Sequence, residues 1–320
     1  MSATRFALFL VLALAGATGA FWLSMQRTLP RDTDFGPPVL PGLAGELPLV
    51  DRITLSARGE PRVTLVRRGS AFGVAEFGGF PADRRRVHEL LTALADLHFA
   101  GRATGPPIAA EQGIRIDLSG RLTPRSLLVG APAGADTAAV QVLPGETSGI
   151  AGHIATIETD SVRWLISPLF DVQPDEVARL SYRVNGASLE LARPAVGAPL
   201  SWTGARAGQP TPAALATSPP SQFEQLDILG ARPLGTNRRF VAETVVETFQ
   251  GLRLELAGHR DADGTCWLSL RASAVPAGAD DDAEHARRLA EKLNTIGSEY
   301  EMAIRSERFD RLFPALGDGR

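Results

Sequence analysis

Apolar and polar residues alternate with a period of two over much of the chain. In Ile114–Gly120 the apolar set is Ile114, Ile116 and Leu118, and Arg115, Asp117 and Ser119 fall between them. Leu252, Leu254 and Leu256 alternate in the same way with Arg253, Glu255 and Ala257. That period predicts strands with one face buried and one wet. Val63–Arg68 and Ser188–Arg193 follow the pattern, and Gly59-Glu60 and Asn185-Gly186 predict the turns ahead of them. Gln250-Gly251 and Asp263-Gly264 divide residues 244–249, 252–257 and 267–272 into an antiparallel meander. Helical spacing is found in two places. Asp83 is placed to cap a helix with an apolar stripe of Val87, Leu90, Leu91, Leu94 and Leu97. A last helix is predicted from about Asp281 to Arg305, with Leu289, Leu293 and Ile296 as its buried face. Between residues 209 and 229 four prolines leave only Phe223 to Leu229 open to helix.

The strand phrases recur in order. Val50–Leu55 matches Val177–Tyr182, Val63–Arg67 matches Leu189–Arg193, and Phe72–Val74 matches Leu200–Trp202. QGIRIDLSG from Gln112 then matches QGLRLELAG from Gln250, and Leu127–Val129 matches Leu268–Leu270. Ordered matches of this kind predict a tandem duplication. The expected fold class is α+β: two tandem repeated domains with mainly antiparallel sheets and packed helices, after one N-terminal transmembrane helix. The expected boundaries are an anchor at 1–27, a Pro/Gly-rich spacer at 28–48, a first copy with its junction segment at 49–173, and a second copy with a C-terminal helix at 174–320.

The anchor rests on 21 uncharged residues between Arg5 and Arg27. At about 1.5 Å per residue, residues 6–26 suffice as a helix to cross a hydrocarbon core of ~30 Å. A cleaved signal peptide is the competing reading. The apolar run continues through Phe21, Trp22 and Leu23, past a usual signal core, and this favours the anchor. The expected location is the cytoplasmic (inner) membrane, single-pass, with the bulk periplasmic or extracytoplasmic. The spacer, with its Pro and Gly, reads as extended chain.

Composition narrows the chemistry. Of 320 residues 44% are hydrophobic and 22% charged, which suits folded protein. Net charge is −3, so no basic excess points to nucleic acid. The single cysteine, Cys266, has no internal partner for a disulfide and reads as a small buried hydrophobe. His88, His98, His153, His259 and His285 lack metal-ligand spacing, and His285 beside Asp280–Asp282 reads as a solvated helix start. Asp261-Ala-Asp263-Gly264 shares the acidic spacing of part of a calcium loop but lacks the later ligands, so it reads as a hairpin turn. No catalytic, cofactor or metal residues are assigned. The apolar run Trp164–Phe170 supplies the one set of contact residues, Trp164, Leu165, Leu169 and Phe170, either as an exposed partner patch or, the favoured reading, as a buried latch between the copies.

The segment from Val142 to Tyr182 resembles the bacterial domain of unknown function 4340 family. The likeness is carried by Leu143-Pro144-Gly145-Glu146, Trp164-Leu165, Leu169-Phe170-Asp171-Val172 and Val177-Ala178-Arg179-Leu180, with Pro81-Ala82-Asp83 entering the first helix and Leu293-Asn294 in the last. The stretch 101–113 is shorter than is usual in that family. The resemblance implies a membrane-anchored envelope protein, similar in context to accessory proteins of ABC-type export systems. An ABC permease or ATPase subunit is then the expected partner. The leading expectation is a non-enzymatic accessory or binding subunit. The alternatives are an enzyme acting on an envelope polymer through acids such as Asp171, Asp175 and Glu176, and a structural spacer.

Overall fold

The computed structural model describes residues 36–314 apart from 103–107, 109–112, 133–136, 146, 153–155, 185–186, 204–218, 236–239, 241 and 277–279. The first half contributes β1 (Val50–Ser56), β2 (Val63–Arg68), β3 (Ala71–Val74), β4 (Phe80–Pro81), α1 (Arg84–Ala95), β5 (Phe99–Arg102), β6 (Ile114–Gly120), β7 (Arg125–Pro132), β8 (Thr137–Leu143) and β9 (Ser148–Gly152). The second contributes β10 (Val177–Val184), β11 (Ala187–Ala192), β12 (Ser201–Trp202), β13 (Gly230–Pro233), β14 (Ala242–Thr248), β15 (Leu252–Arg260), β16 (Cys266–Ala274), α2 (Asp280–Gly297), β17 (Tyr300–Ile304) and α3 (Ser306–Leu312). Two antiparallel sheets result, a nine-stranded one ordered β4-β3-β2-β1-β6-β7-β8-β9-β5 and an eight-stranded one ordered β12-β11-β10-β14-β15-β16-β17-β13.

This corrects the α+β expectation. The described residues are mostly antiparallel sheet, and the few helices serve as covers for it. The segment 6–26 lies outside the described residues, and among the described residues no helix is long and apolar enough to cross a membrane. Two further expectations change. The last helix stops at Gly297, and Tyr300–Ile304 is a fully buried strand. In the Pro-rich stretch a short 3-10 turn, Pro219–Phe223, is followed by an irregular strap with Phe223, Leu226 and Ile228 buried.

The described part of the supposed spacer is packed, not extended. Gly36 N donates to Phe99 O, Phe99 N to Pro37 O, and Val39 N to Leu97 O. Val39, Leu40 and Leu43 are buried, with one helical turn over Leu43–Glu46. The segment satisfies the open edge of β5, which would otherwise offer unpaired backbone groups.

The two sheets share one strand order once β1–β3 are set against β10–β12, β5 against β13, and β6–β9 against β14–β17. They also share an irregularity. Pairing of β1 with β6 shifts between Val50 and Arg52, and pairing of β10 with β14 shifts between Val177 and Arg179. The same bulge therefore falls at Asp51 and Ala178. This equivalence revises the sequence match. QGIRIDLSG is β6, but QGLRLELAG is β15, which is the counterpart of β7. The counterpart of β6 is β14, Ala242–Thr248.

Local chemistry explains the individual elements. Asp83 Oδ1 accepts from Arg85 N at 2.9 Å and Arg86 N at 3.3 Å, capping α1, which buries Val87, Leu90, Leu91 and Leu94. The β15–β16 hairpin turns at Gly264, whose φ of 86° suits glycine. Beyond Leu268 strand β16 has no partner in β17, and α2 covers that edge. Asn294 Nδ2 donates to Ala272 O at 2.7 Å and its Oδ1 accepts from Ala272 N at 2.8 Å, so a side-chain amide completes the ladder there. The inner face of the second sheet is closed by α3, whose Phe309 lies against Gly258 together with Phe313 just beyond it.

Candidate functional site

Side chains that alternate away from the core on β10, β14, β15 and β16 bound a concavity of about 580 Å3 on the outer face of the second sheet. Its floor is made of small residues, Ser181, Val245, Ala257 and Ser269. Two partly exposed hydrophobics, Leu234 and Phe240 on the β13–β14 connection, form an apolar lip.

The wall is a charge ladder set by cross-strand register. Arg183 Nη1 lies 3.1 Å from Glu243, and Arg253 holds Glu247 at 2.6 Å and Glu255 at 3.0 Å. Arg179 adds a looser contact to Glu247 at 3.7 Å. Partial burial works against the charge on Arg253, but hydrogen bonds to Glu255 and Glu247 outweigh it and raise its pKa. Arg271 stands opposite Glu255 in register and forms no ion pair among the described residues. The Ser269 hydroxyl is shielded from solvent and has no hydrogen-bond partner among the described residues.

Beyond the lip lies a polar cluster on the same face. Arg232 Nε donates to Glu301 at 3.1 Å, and its Nη1 donates to Asp261 at 2.7 Å. Its guanidinium lies 3.5 Å over the Trp267 ring. His259 Nε2 is 3.4 Å from both Arg232 Nη2 and Asp261 Oδ1, and Phe240 packs edge-on against the imidazole. Glu301 is fully buried. Burial opposes the charge on Arg232, and its hydrogen bonds to Asp261 and Glu301 outweigh it and raise its pKa. The guanidinium occupies the space between the two carboxylates and ties β13, β15, β16 and β17 together.

Trp164, Leu165, Leu169 and Phe170 are buried in the junction between the halves. Asp83 N donates to Trp164 O, and Ile166 N to Pro81 O, on the first-half side. Leu169 N donates to Leu226 O, and Leu226 N to Phe170 O, on the second-half side. Trp164 Nε1 is satisfied by Glu158 O at 2.9 Å. The acids considered for an enzyme sit in the same region with structural tasks. Asp171 Oδ1 accepts from Gln225 N and Gln173 Nε2, and Glu176 Oε2 accepts from Gln173 N. Asp175 acts on Arg193, whose pKa is lowered by burial and partly restored by that carboxylate.

The remaining sequence candidates are scattered. His88 and His285 are exposed on α1 and α2, and His98 Nδ1 contacts Asp96 O at 2.7 Å. His153 lies outside the described residues. Burial pushes the Cys266 thiol up, which keeps it protonated and disfavours a nucleophilic role. Sequence reasoning missed the concavity because Ala257 and Ser269 carry no chemical flag. It also missed the Arg232 cluster, whose one signal is Glu301 alone inside the apolar run Tyr300–Ile304. No protein-family model, curated protein or solved structure matches the chain.

Proposed function

We propose that this chain is a non-enzymatic binding subunit working on the outer side of the cytoplasmic membrane, as an accessory part of an ABC-type transport or envelope assembly. The observation that carries the binding role is the concavity. One of two faces built on the same strand order is hollowed to about 580 Å3 and lined by both an apolar lip and a charged wall. The envelope setting rests on the resemblance of Val142–Tyr182 to the domain of unknown function 4340 family. The binding role is also supported by the carboxylates of the junction: those of Asp171 and Glu176 hold backbone amides, so a fixed scaffold presents the face.

Crosslinked co-purification of the full chain from native membranes tests this reading. Recovery of an ABC permease or ATPase subunit is the expected result. Recovery of no transport component from crosslinked membranes overturns the accessory role.

A further inference from the structure

The equivalence of the two sheets shows what the concavity lacks. The register sets Thr54 against Ser181, Asp117 against Val245, Leu128 against Ala257, and Gln141 against Ser269. Leu128 and Gln141 of the first sheet are thus replaced by much smaller residues. Leu128 is 1% exposed, although it stands apart from the continuous core. It is covered from the β5–β6 connection, where Gly113 approaches its side chain and Ile108 lies against Gly130. The first sheet therefore plugs its outer face with its own aliphatic groups. In the second sheet the corresponding connection supplies Leu234 and Phe240 at the lip, and among the described residues none fills the centre above Ala257.

The charges around that space choose the head group. Arg183, Arg179 and Arg253 are each engaged by Glu243, Glu247 or Glu255. Arg271 is not so engaged among the described residues, and it stands two residues along β16 from the Ser269 hydroxyl. Both side chains face the concavity. Glu190 also borders it, but β11 is four strand steps from β16, about 19 Å at the usual spacing. A short ligand reaching Arg271 does not reach Glu190.

We infer that this concavity binds a short aliphatic carboxylate, with its chain over Ala257 and Val245 and its carboxylate on Arg271. The ligand's chain takes the place that Leu128 fills in the first sheet, and the guanidinium offers two parallel donors to the carboxylate. This assignment rests on the reading of the face as a binding site and adds the ligand class to it.

Sodium hexanoate, which is too short to form micelles at working concentrations, is titrated calorimetrically into the full-length chain. 1-Hexanol and hexylamine are run in parallel. Two variants, Ala257→Leu and Arg271→Gln, are first checked for unchanged sheet content by circular dichroism. The expected result is saturable one-to-one binding of hexanoate that Ala257→Leu abolishes. Arg271→Gln is expected to weaken hexanoate about tenfold or more, the usual scale of a charged hydrogen bond, and to bring it level with 1-hexanol. Arg271 is exposed, so its variant keeps the test valid if Ala257→Leu fails to fold. The inference is overturned if the native chain shows no saturable hexanoate binding, if a folded Ala257→Leu binds hexanoate as well as the native chain, if Arg271→Gln leaves its affinity unchanged, or if hexylamine binds as tightly. Loss of hexanoate binding beside recovery of a transport subunit removes the ligand class and leaves the accessory role. The reverse pair of results removes the accessory role alone.

Discussion

Replacing Arg232 with Met removes the cation from a carboxylate that water cannot reach. Glu301 is fully buried and is held by Arg232 Nε at 3.1 Å. Asp261, the other carboxylate, has a side chain 35% exposed, so solvent takes over much of its solvation when the guanidinium is lost. The stacking on Trp267 is partly retained by a thioether. The dominant cost is therefore Glu301 left buried beside the neighbours that remain. Breaking a buried pair from one side costs ~3–5 kcal/mol, and the 27% exposure of the Arg232 side chain places this site near about 3 kcal/mol. Urea unfolding followed by far-UV circular dichroism reads the effect as a lower midpoint with unchanged slope. The double variant Arg232→Met/Glu301→Met removes the charge as well, and it should recover at least ~2 kcal/mol relative to the single variant. An Arg232→Met protein within ~0.5 kcal/mol of the native chain would refute the reasoning, since that is the scale of an ordinary surface change. So would a double variant no more stable than the single one.

Two other perturbations follow from the same structure. The folded-state pKa of Cys266 is raised by burial, so its contribution to stability is complete below the unfolded thiol value of about 8.5 and is lost as pH rises through the folded value. Relative to Cys266→Ala, the native chain should lose stability as pH is raised from 8 to 10, and parallel melting curves across that range would contradict this. Asn294→Ala leaves both backbone groups of Ala272 without their side-chain partners at the β16 edge, at a cost of about 2 kcal/mol. Thermal melting should register the loss, and amide exchange at Ala272 should accelerate locally.

The alternating strands were legible because they bury one face, so Ile116, Leu118, Leu254 and Leu256 announce themselves by period alone. The position of each strand within its sheet was not legible in the same way. Meander strands obey a common alternation, and QGIRIDLSG matches QGLRLELAG although one is β6 and the other is equivalent to β7. The register shift at Asp51 and Ala178 settles the equivalence, and a bulge leaves no mark in polarity. The overrun of the last helix has a related cause. Leu293, Ile296 and Tyr300 keep helical spacing across Gly297, and β17 has no alternation to oppose it because all five of its residues are buried. Pro37, Pro38 and Pro41 made residues 36–48 read as spacer, yet a proline tolerates an edge strap well, and Val39, Leu40 and Leu43 supply its burial. The candidate site was the least legible feature. Its floor is defined by what Ala257 and Ser269 do not fill, and absence of volume becomes visible only against Leu128 and Gln141 in the equivalent sheet.

The strand order also dictates when each half can close. Phe99 in β5 pairs with Ala151 in β9, and Gly230 in β13 pairs with Ala303 in β17. In both halves the edge strand is synthesised before the meander that it finally joins. The edge that joins the meander must wait until the whole meander has emerged and turned back, a long loop closure that slows assembly. A chain interrupted before Ser148, or before Tyr300, therefore presents a strand whose meander-side edge has no native partner, the kind of edge that other nascent chains can zip onto. The late arrival of β9 and β17 makes the far end of each half the gatekeeper of its completion.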